Sequence, residues 1–501
     1  ETLLEEKRQT WFVSISRKGY TVDIRKKTLH EDETLTGRHI LSVAPSIPQV
    51  GYFSNGSYST LITSDGDGFS RCGNIMVNRY RPDIYSQTGL YIYIRDIEQK
   101  RFWSTAYNPA KVEADDYRVI LSHHQAEFKR TDGDLSTYTI VTLSPLHDLE
   151  IRKVTLKNYG TESKQVEFTS YLETAVDTYM AESSHPAFNK LFIESEYIQE
   201  YTAFISKRRG VGRNTNPYVM HMVRADTEES VRVEYENDRM RFIGRNNTLA
   251  NPDALTGNMP LTNTSGFSND PIMSLRVTVN VEPASDVTVT FITGVCENRE
   301  EVMKVCDEMS VSYRVDDIIE KARLQSIMEL KYLGITSARL NAFQGLISPI
   351  FYPLRPFRGP SERIWRNWKD QNSLWRFGIS GDNPILLLEV DSVGEIEIIR
   401  DVLKLYEYLR INNITVDLVI LCNAKYGYAQ ALGDMLNSMT SSLKIYDHKD
   451  QPGIFIIYSY QLIPAETDLL FTVARVVFSE KTGIYFRDIS PEARSSARDI
   501  H

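Results

Sequence analysis

From Gly51 to about Gly294 the chain alternates apolar and polar residues with a period of two, and this pattern limits the fold more than any other feature. Side chains two apart share one face of an extended strand, so each alternating run buries one face and wets the other. Such runs are Tyr58–Thr63, Leu90–Asp96, Tyr117–Leu121, Ala126–Arg130, Ser136–Leu143, Glu150–Lys157, Gln165–Val176, Tyr218–Val223, Ser274–Val281 and Val287–Thr293. Thr131-Asp132-Gly133-Asp134 separates two of them, and Asp-Gly favours the positive φ of a tight hairpin turn. Ten or more strands with hardly any helical period between them predict a large antiparallel β-sandwich.

At Arg299 the period changes. Glu300–Met309, Val315–Leu333 and Ser337–Tyr352 carry apolar residues at helical spacing, and Gly334 stands where a helix stops. The proline-rich Tyr352–Pro360 forbids regular structure and delivers the chain to Arg363–Pro384. Beyond Asp382 the order is strand Ile385–Val390, helix Glu395–Arg410, strand Val416–Leu421, helix Tyr428–Ser438, strand Ile454–Tyr458 and helix Glu466–Phe478. Continuous apolar strands between amphipathic helices predict a small parallel sheet. The expected architecture is multidomain α+β. It comprises a lead-in at 1–50, the sandwich at 51–297, a helical linker at 298–352, a Trp-rich junction at 353–384, a small α/β domain at 385–480 and a tail at 481–501. In the lead-in, Leu3–Gln9 reads as a short helix and Trp11–Ile24 as a strand.

A chain of 501 residues has room for several cores. Its formal net charge of −9, without long acidic runs, argues against a nucleic-acid groove or an anionic membrane surface. No apolar run is long enough to span a bilayer. Cys72, Cys296, Cys306 and Cys422 form no C-x-x-C pair, which predicts reduced thiols and a cytoplasmic protein with no structural zinc. The chain starts at Glu1 with no signal-like segment, and the expectation is that its native start lies upstream.

Arg363–Pro384 holds Trp365, Trp368 and Trp375 interleaved with Arg363, Arg366 and Arg376, and ends in Gly378-Ile379-Ser380-Gly381-Asp382. Aromatic faces stack on sugar rings while donors and carboxylates read hydroxyls, so one reading is a saccharide surface. The other is that the same residues cement two domains. Asp65 and Asp67 read as a β-turn with solvated acids or as a calcium loop, though without the later bidentate Glu of an EF loop. Adjacent His123 and His124 point to opposite faces of a strand and do not share a metal easily. His185, before Pro186, sits in a stiffened loop. No Ser/His/Asp spacing, H-E-x-x-H or nucleophile elbow is present.

Phe53–Thr63 running into Gly68-Phe69-Ser70-Arg71 resembles the sandwich region of glycoside hydrolase family 94, formerly glycosyltransferase family 36. Tyr91–Asp96 (YIYIRD), His185–Phe192 (HPAFNKLF), Phe242–Arg245 (FIGR), Gln371–Pro384 (QNSLWRFGISGDNP) and Asp417–Leu421 (DLVIL) extend the likeness. Within the family it is nearest to phosphorylases of 1,2-β-oligoglucans and to the homologous C-terminal part of cyclic β-1,2-glucan synthases. The resemblance implies phosphorolysis with inversion: an aspartic acid protonates the leaving oxygen, and phosphate attacks from the opposite face. Family members carry that aspartate in an (α/α)6 barrel downstream of the sandwich and linker. This sequence has no D-W-N-D-G-like segment, so no catalytic residue is assigned.

The resemblance thus implies the sandwich and linker portion of a phosphorylase that releases glucose 1-phosphate from β-1,2-glucan. Implied partners are a β-glucan oligosaccharide, the catalytic remainder of the parent protein and a second copy in a homodimer. Inorganic phosphate would be the parent's co-substrate, with no cofactor. Expected ligand-facing residues are Arg71 and His185 on sandwich loops, Trp375 stacking on a glucosyl face, and Asp382 accepting from hydroxyls. Cys72 and Asn74 depart from the aromatic and the acid usual in relatives. A carbohydrate-binding protein using Trp365, Trp368, Trp375 and Arg366, and an assembly module of a cyclic glucan synthase, stay open as alternatives.

Overall fold

The computed structural model describes residues 37–480 except 44, 46, 84–85, 211–215, 228–230, 258, 424–428 and 445–452. The helix and strand expected at Leu3–Gln9 and Trp11–Ile24, and the tail, lie outside the described residues. Alternation does fold into strands: all ten runs are extended, several with the expected ends (Tyr58–Thr63, Leu90–Asp96). They form two antiparallel sheets, of ten and nine strands among the described residues. Arg38–Ile40 adds an edge strand to the first sheet by pairing with Asp116–Leu121. Gln125–Asp132 and Leu135–Leu143 make a hairpin closed by Gly133 and Asp134, with Gly133 at φ 65°. Strands such as Ile193–Ile198, Ala203–Arg208 and Arg232–Asp238 escaped the sequence reading, because their alternation is short and charged.

The inner faces of the two sheets meet in one core that includes Val154, Leu156, Val166, Phe168, Val277, Val289, Phe291 and Trp103. Helices α1 (Arg299–Met309) and α2 (Ser312–Leu333) cover the outer face of the first sheet, burying Val302, Val305, Met309, Val315 and Ile318 against Ile151, Met220, Met222 and Ile292. Gly334 ends α2 in the left-handed conformation, φ 59°.

Helix α3 (Ser337–Phe351) joins the sandwich to the remainder. Its apolar residues share a core with Val50, Tyr52, Leu61 and Phe69 of the second sheet and with Leu386, Leu388, Leu405 and Leu409 beyond it. Gln344 donates to the Tyr408 hydroxyl at 2.6 Å and to the Tyr52 carbonyl at 3.4 Å, and Ser348 donates to the Pro48 carbonyl at 2.6 Å. After the short helix α4 (Ser361–Arg366) the chain enters a four-stranded sheet, parallel throughout. Helices α5 (Ile396–Ile411), α6 (Ala429–Lys444) and α7 (Pro464–Val473) accompany it. One expectation is corrected. Glu466–Phe478 is not a single helix: α7 stops at Val473, and Ala474–Phe478 becomes the fourth strand, parallel to Ile385–Val390. The β-branched Val476 and Val477 suit a strand buried on both faces better than a helix.

Asp65 and Asp67 are not freely solvated; they are held by hydrogen bonds inside the turn between Tyr58–Thr63 and Gly68–Cys72. Asn108 donates to both carboxylates, at 3.2 and 2.8 Å, and the Tyr91 hydroxyl donates to Asp67 at 2.6 Å. Burial first, then the nearby Asp65 charge, pushes the Asp67 carboxyl up to about 7. The folded state therefore holds this proton more tightly than the unfolded chain, and stability is lost as pH rises from about 4 through about 7. Asp67→Asn is expected to melt higher than the parent at pH 8, with the gap closing by pH 5. A gap that does not change with pH in differential scanning fluorimetry would show that Asp67 stays ionised throughout.

Candidate saccharide-facing surface

Two buried acids on α7 help anchor the Trp-rich stretch. Glu466 and Asp468 are each at most 5% exposed. Glu466 accepts from the Ile463 backbone N–H at 3.1 Å, so it caps its own helix while also pairing with Arg376. Asp468 pairs with Arg366 at 2.9 Å and with Arg363 at 3.8 Å, and the Arg363 guanidinium lies 4.3 Å from the centre of the Phe471 ring. Buried carboxylates demand cationic partners, and the three arginines supply them from the surface, Arg363 half-buried and Arg366 and Arg376 exposed.

The tryptophans beside them are turned outward as well. Trp365, Trp368 and Trp375 are 87%, 76% and 61% exposed. They do not cement domains within this chain. Leu374 and Ile379, both buried beneath them, anchor the stretch in a core with Leu387, Val419 and Leu470. Gly378 at φ 76° and Gly381 at φ 81° let the chain turn back sharply, so that Trp375 and Asp382 meet across Ser380. The Trp375 indole N–H donates to the Ser380 carbonyl at 3.3 Å, and the Asp382 backbone N–H donates to the Ser380 hydroxyl at 3.1 Å. Gln371 donates to the same carbonyl at 3.0 Å and reaches Asp382 at 3.5 Å. The sequence reading quoted Gln371 only within a motif; its signal was an amide placed one turn before a double-glycine bend.

The other two candidates lie elsewhere. Arg71 is in the strand Gly68–Cys72, not on a loop, and its register opposite Ser59 and Met76 directs it to the linker side. Its guanidinium donates to the Asn413 carbonyl after α5 and to the Tyr52 hydroxyl at 3.4 Å. Asn413 in turn donates to the Gly56 carbonyl, so this contact fastens the sandwich to the parallel domain. His185 is exposed between the short helices Tyr179–Ser184 and Pro186–Asn189. Beside it Arg79 pairs with Asp270 at 2.7 Å and with Glu182 at 2.8 Å, while Arg239 pairs with Glu173 at 2.7 Å. Burial raises the Glu182 carboxyl despite Arg79. Among the described residues no hydrogen bond or ion pair joins Arg71 or His185 to Trp375 or Asp382. His123 and His124 also part ways: His123 meets Glu329 at 2.8 Å, and burial lowers His124 to about 4.

Chemically, the Trp375–Asp382 surface can stack on a ring and accept from hydroxyls. Among the described residues no group of three or more His, Cys, Asp or Glu is placed to hold a metal, and no helix is long and apolar enough to cross a membrane. Residues 39–312 match the family described as glycosyl hydrolase 94, supersandwich domain. The chain is 32% identical over 434 residues to the cyclic beta-(1,2)-glucan synthase NdvB of Rhizobium meliloti (strain 1021), covering 86% of this chain and 15% of that protein. It is 24% identical over 273 residues to the 3-O-beta-D-glucopyranosyl-beta-D-glucuronide phosphorylase of Paenibacillus borealis, covering 53% of this chain and 33% of that one. It is also 20% identical over 280 residues to the N,N'-diacetylchitobiose phosphorylase of Vibrio proteolyticus, again 53% and 33%. The chain thus spans a third or less of the length of these relatives. By the extent of the supersandwich match, this chain belongs to glycosyl hydrolase family 94.

Proposed function

We propose that the chain is a non-catalytic part of a β-1,2-glucan-handling enzyme of family 94, supplying sandwich, linker and a saccharide-facing wall to a parent whose proton donor lies elsewhere. The outward presentation of three tryptophans beside Asp382 carries this reading. Exposed aromatic surface on this scale marks an interaction site, and flat rings edged by a carboxylate suit a glucan. Among the described residues every helix longer than ten residues lies against a sheet, which supports a scaffold and not a helical barrel around an acid. Trp375 stacks, Asp382 accepts from hydroxyls, His185 faces ligand from the sandwich, and Arg71 acts at a distance by holding Asn413. Four unpaired thiols support a cytoplasmic setting. The sandwich edges are available to the catalytic remainder and to a second copy.

Two parents are open, an inverting phosphorylase releasing glucose 1-phosphate and a cyclic β-1,2-glucan synthase. The span of the matches favours the synthase. The 434-residue match extends past the supersandwich, whereas 273 residues is no more than the supersandwich alone.

Titration with β-1,2-gluco-oligosaccharides is expected to change the tryptophan fluorescence saturably, and Trp375→Ala to weaken the response at least ten-fold, a loss typical of a stacking anchor. Arg71→Ala is expected to keep that affinity while destabilising the chain by about 1–3 kcal/mol, as for a lost charged hydrogen bond. A flat titration of the intact chain would end the saccharide reading. Incubated with sophoro-oligosaccharides and phosphate, the chain is expected to release no glucose 1-phosphate; sustained release would place the proton donor within it.

A further inference from the structure

Asp65 and Asp67 share one donor. The side-chain nitrogen of buried Asn108 donates to Asp65 Oδ2 at 3.2 Å and to Asp67 Oδ2 at 2.8 Å. Two carboxylate oxygens on one nitrogen stand close enough for like charges to repel, with little water between them to screen. Nothing nearby offsets two charges. Lys111, whose charge reaches both acids, is exposed and, among the described residues, forms an ion pair with neither. Arg130 and Arg152 on the neighbouring strands are committed to Asp132 at 2.6 Å and to Glu150 at 2.7 Å. The phenols within range, Tyr91, Tyr117 and Tyr352, are all pushed up by burial and stay neutral. A single proton on the pair removes the repulsion.

The same turn, at 63–68, fastens three other segments of the sandwich. The Asn108 backbone N–H donates to the Asp65 carbonyl at 2.7 Å, and the Gly68 N–H donates to the Thr88 carbonyl at 2.6 Å. The Tyr117 hydroxyl donates to the Ser64 carbonyl at 2.8 Å. Gln87 extends the tie, its amide donating to the Asn108 side-chain oxygen at 3.3 Å and to the Pro109 carbonyl at 3.2 Å. Packing is close here as well: a Cβ on Gly66 would stand 2.5 Å from that of Ala106. Gln87 and Thr88 also line a cleft of about 350 Å³, together with Arg79, Lys190 and Arg239. Asn108 therefore stands between the acid pair and the wall of this cleft.

We propose that Asp65 and Asp67 hold one proton between them and that this proton locks the cleft wall in place. With it, Asn108 serves both acids and presents its oxygen to Gln87. Without it, two like charges compete for one amide, the acids part, and the seat of Gln87 is lost. The folded chain holds the proton more tightly than the unfolded one, so the lock is present at acid pH and lost as pH rises through about 7. The lock belongs to the sandwich and does not depend on what the tryptophans bind.

Hydrogen exchange of the full chain, read by mass spectrometry and corrected for the intrinsic rate at each pH, tests this. From pH 6 to pH 8.5, peptides covering 61–69, 87–90 and 104–110 are expected to lose protection at least ten-fold, while 150–157 is unchanged. Asp67→Asn and Asp65→Asn remove the like charge and are each expected to abolish the loss. Tyr91→Phe removes a donor to the ionised form of Asp67 and is expected to move the loss to higher pH. Protection that does not change with pH, or a loss that persists in both asparagine variants, overturns the lock. So does an equal loss at 150–157, which reports global opening, or protection retained at 87–90 while the turn opens, which unlinks the cleft wall from the acids. If the asparagine variants do not fold, Tyr91→Phe decides: a midpoint moved upward supports the lock and an unmoved one overturns it.

Discussion

Helix α3 is apolar on nearly every side because it must satisfy two surfaces at once. Leu340, Phe343, Leu346, Ile347 and Ile350 are buried, facing the outer face of the second sheet in one direction and the parallel sheet with α5 in the other. A helix facing solvent would carry a polar stripe; here the polar residues Gln344 and Ser348 are themselves buried and spend their hydrogen bonds across the junction. Pro349 inside the last turn costs little, since the helix ends at Phe351. Sandwich and parallel sheet therefore share a continuous core instead of swinging on a linker. Arg71, reaching from its strand to Asn413, is a peripheral clamp on the same junction.

With that junction fixed, the Trp-rich stretch is anchored by Leu374 and Ile379 in the core and by its arginines on Glu466 and Asp468. An exposed arginine and a buried tryptophan are the usual arrangement for an amphipathic segment. Here the arginines are exposed or half-buried, their guanidiniums reaching Glu466 and Asp468, but the tryptophans are exposed as well. Exposing three indoles nevertheless forgoes the hydrophobic stabilisation their burial would provide, roughly 1.5–3 kcal/mol for a large side chain. On the proposed reading, a saccharide would cover these rings.

The sandwich was legible because alternation is a direct imprint of one buried face, and turn chemistry at Asp132-Gly133 marked the hairpin. What escaped was set by distant partners. Arg71 has the composition of a ligand-binding residue, and only the register of its strand and the position of Asn413 reveal a clamp. Asp65 and Asp67 read as solvated because the sequence does not show that Asn108 and Tyr91 close over them. The strand Ala474–Phe478 was hidden by the absence of a breaker after α7: no Gly or Pro separates Val473 from Ala474, so apolar residues run through and only pairing with Ile385–Val390 decides the conformation. Trp375 and Asp382, close in sequence, were brought together by a local glycine turn, and such proximity is what sequence reports best.

The supersandwich match ends at 312, so the tryptophans at 365–375 and the arginines at 363–376 lie outside the part that defines the family. Their arrangement answers to the second, parallel domain. A sandwich alone presents strand edges and short loops; the added sheet contributes α7, whose two acids hold the arginines beside the aromatic face. Because α3 ties both parts into one core, whatever occupies the added surface is held in a constant relation to the sandwich. On the proposed reading, recognition of a saccharide and its placement relative to the family scaffold would be one property of this packing.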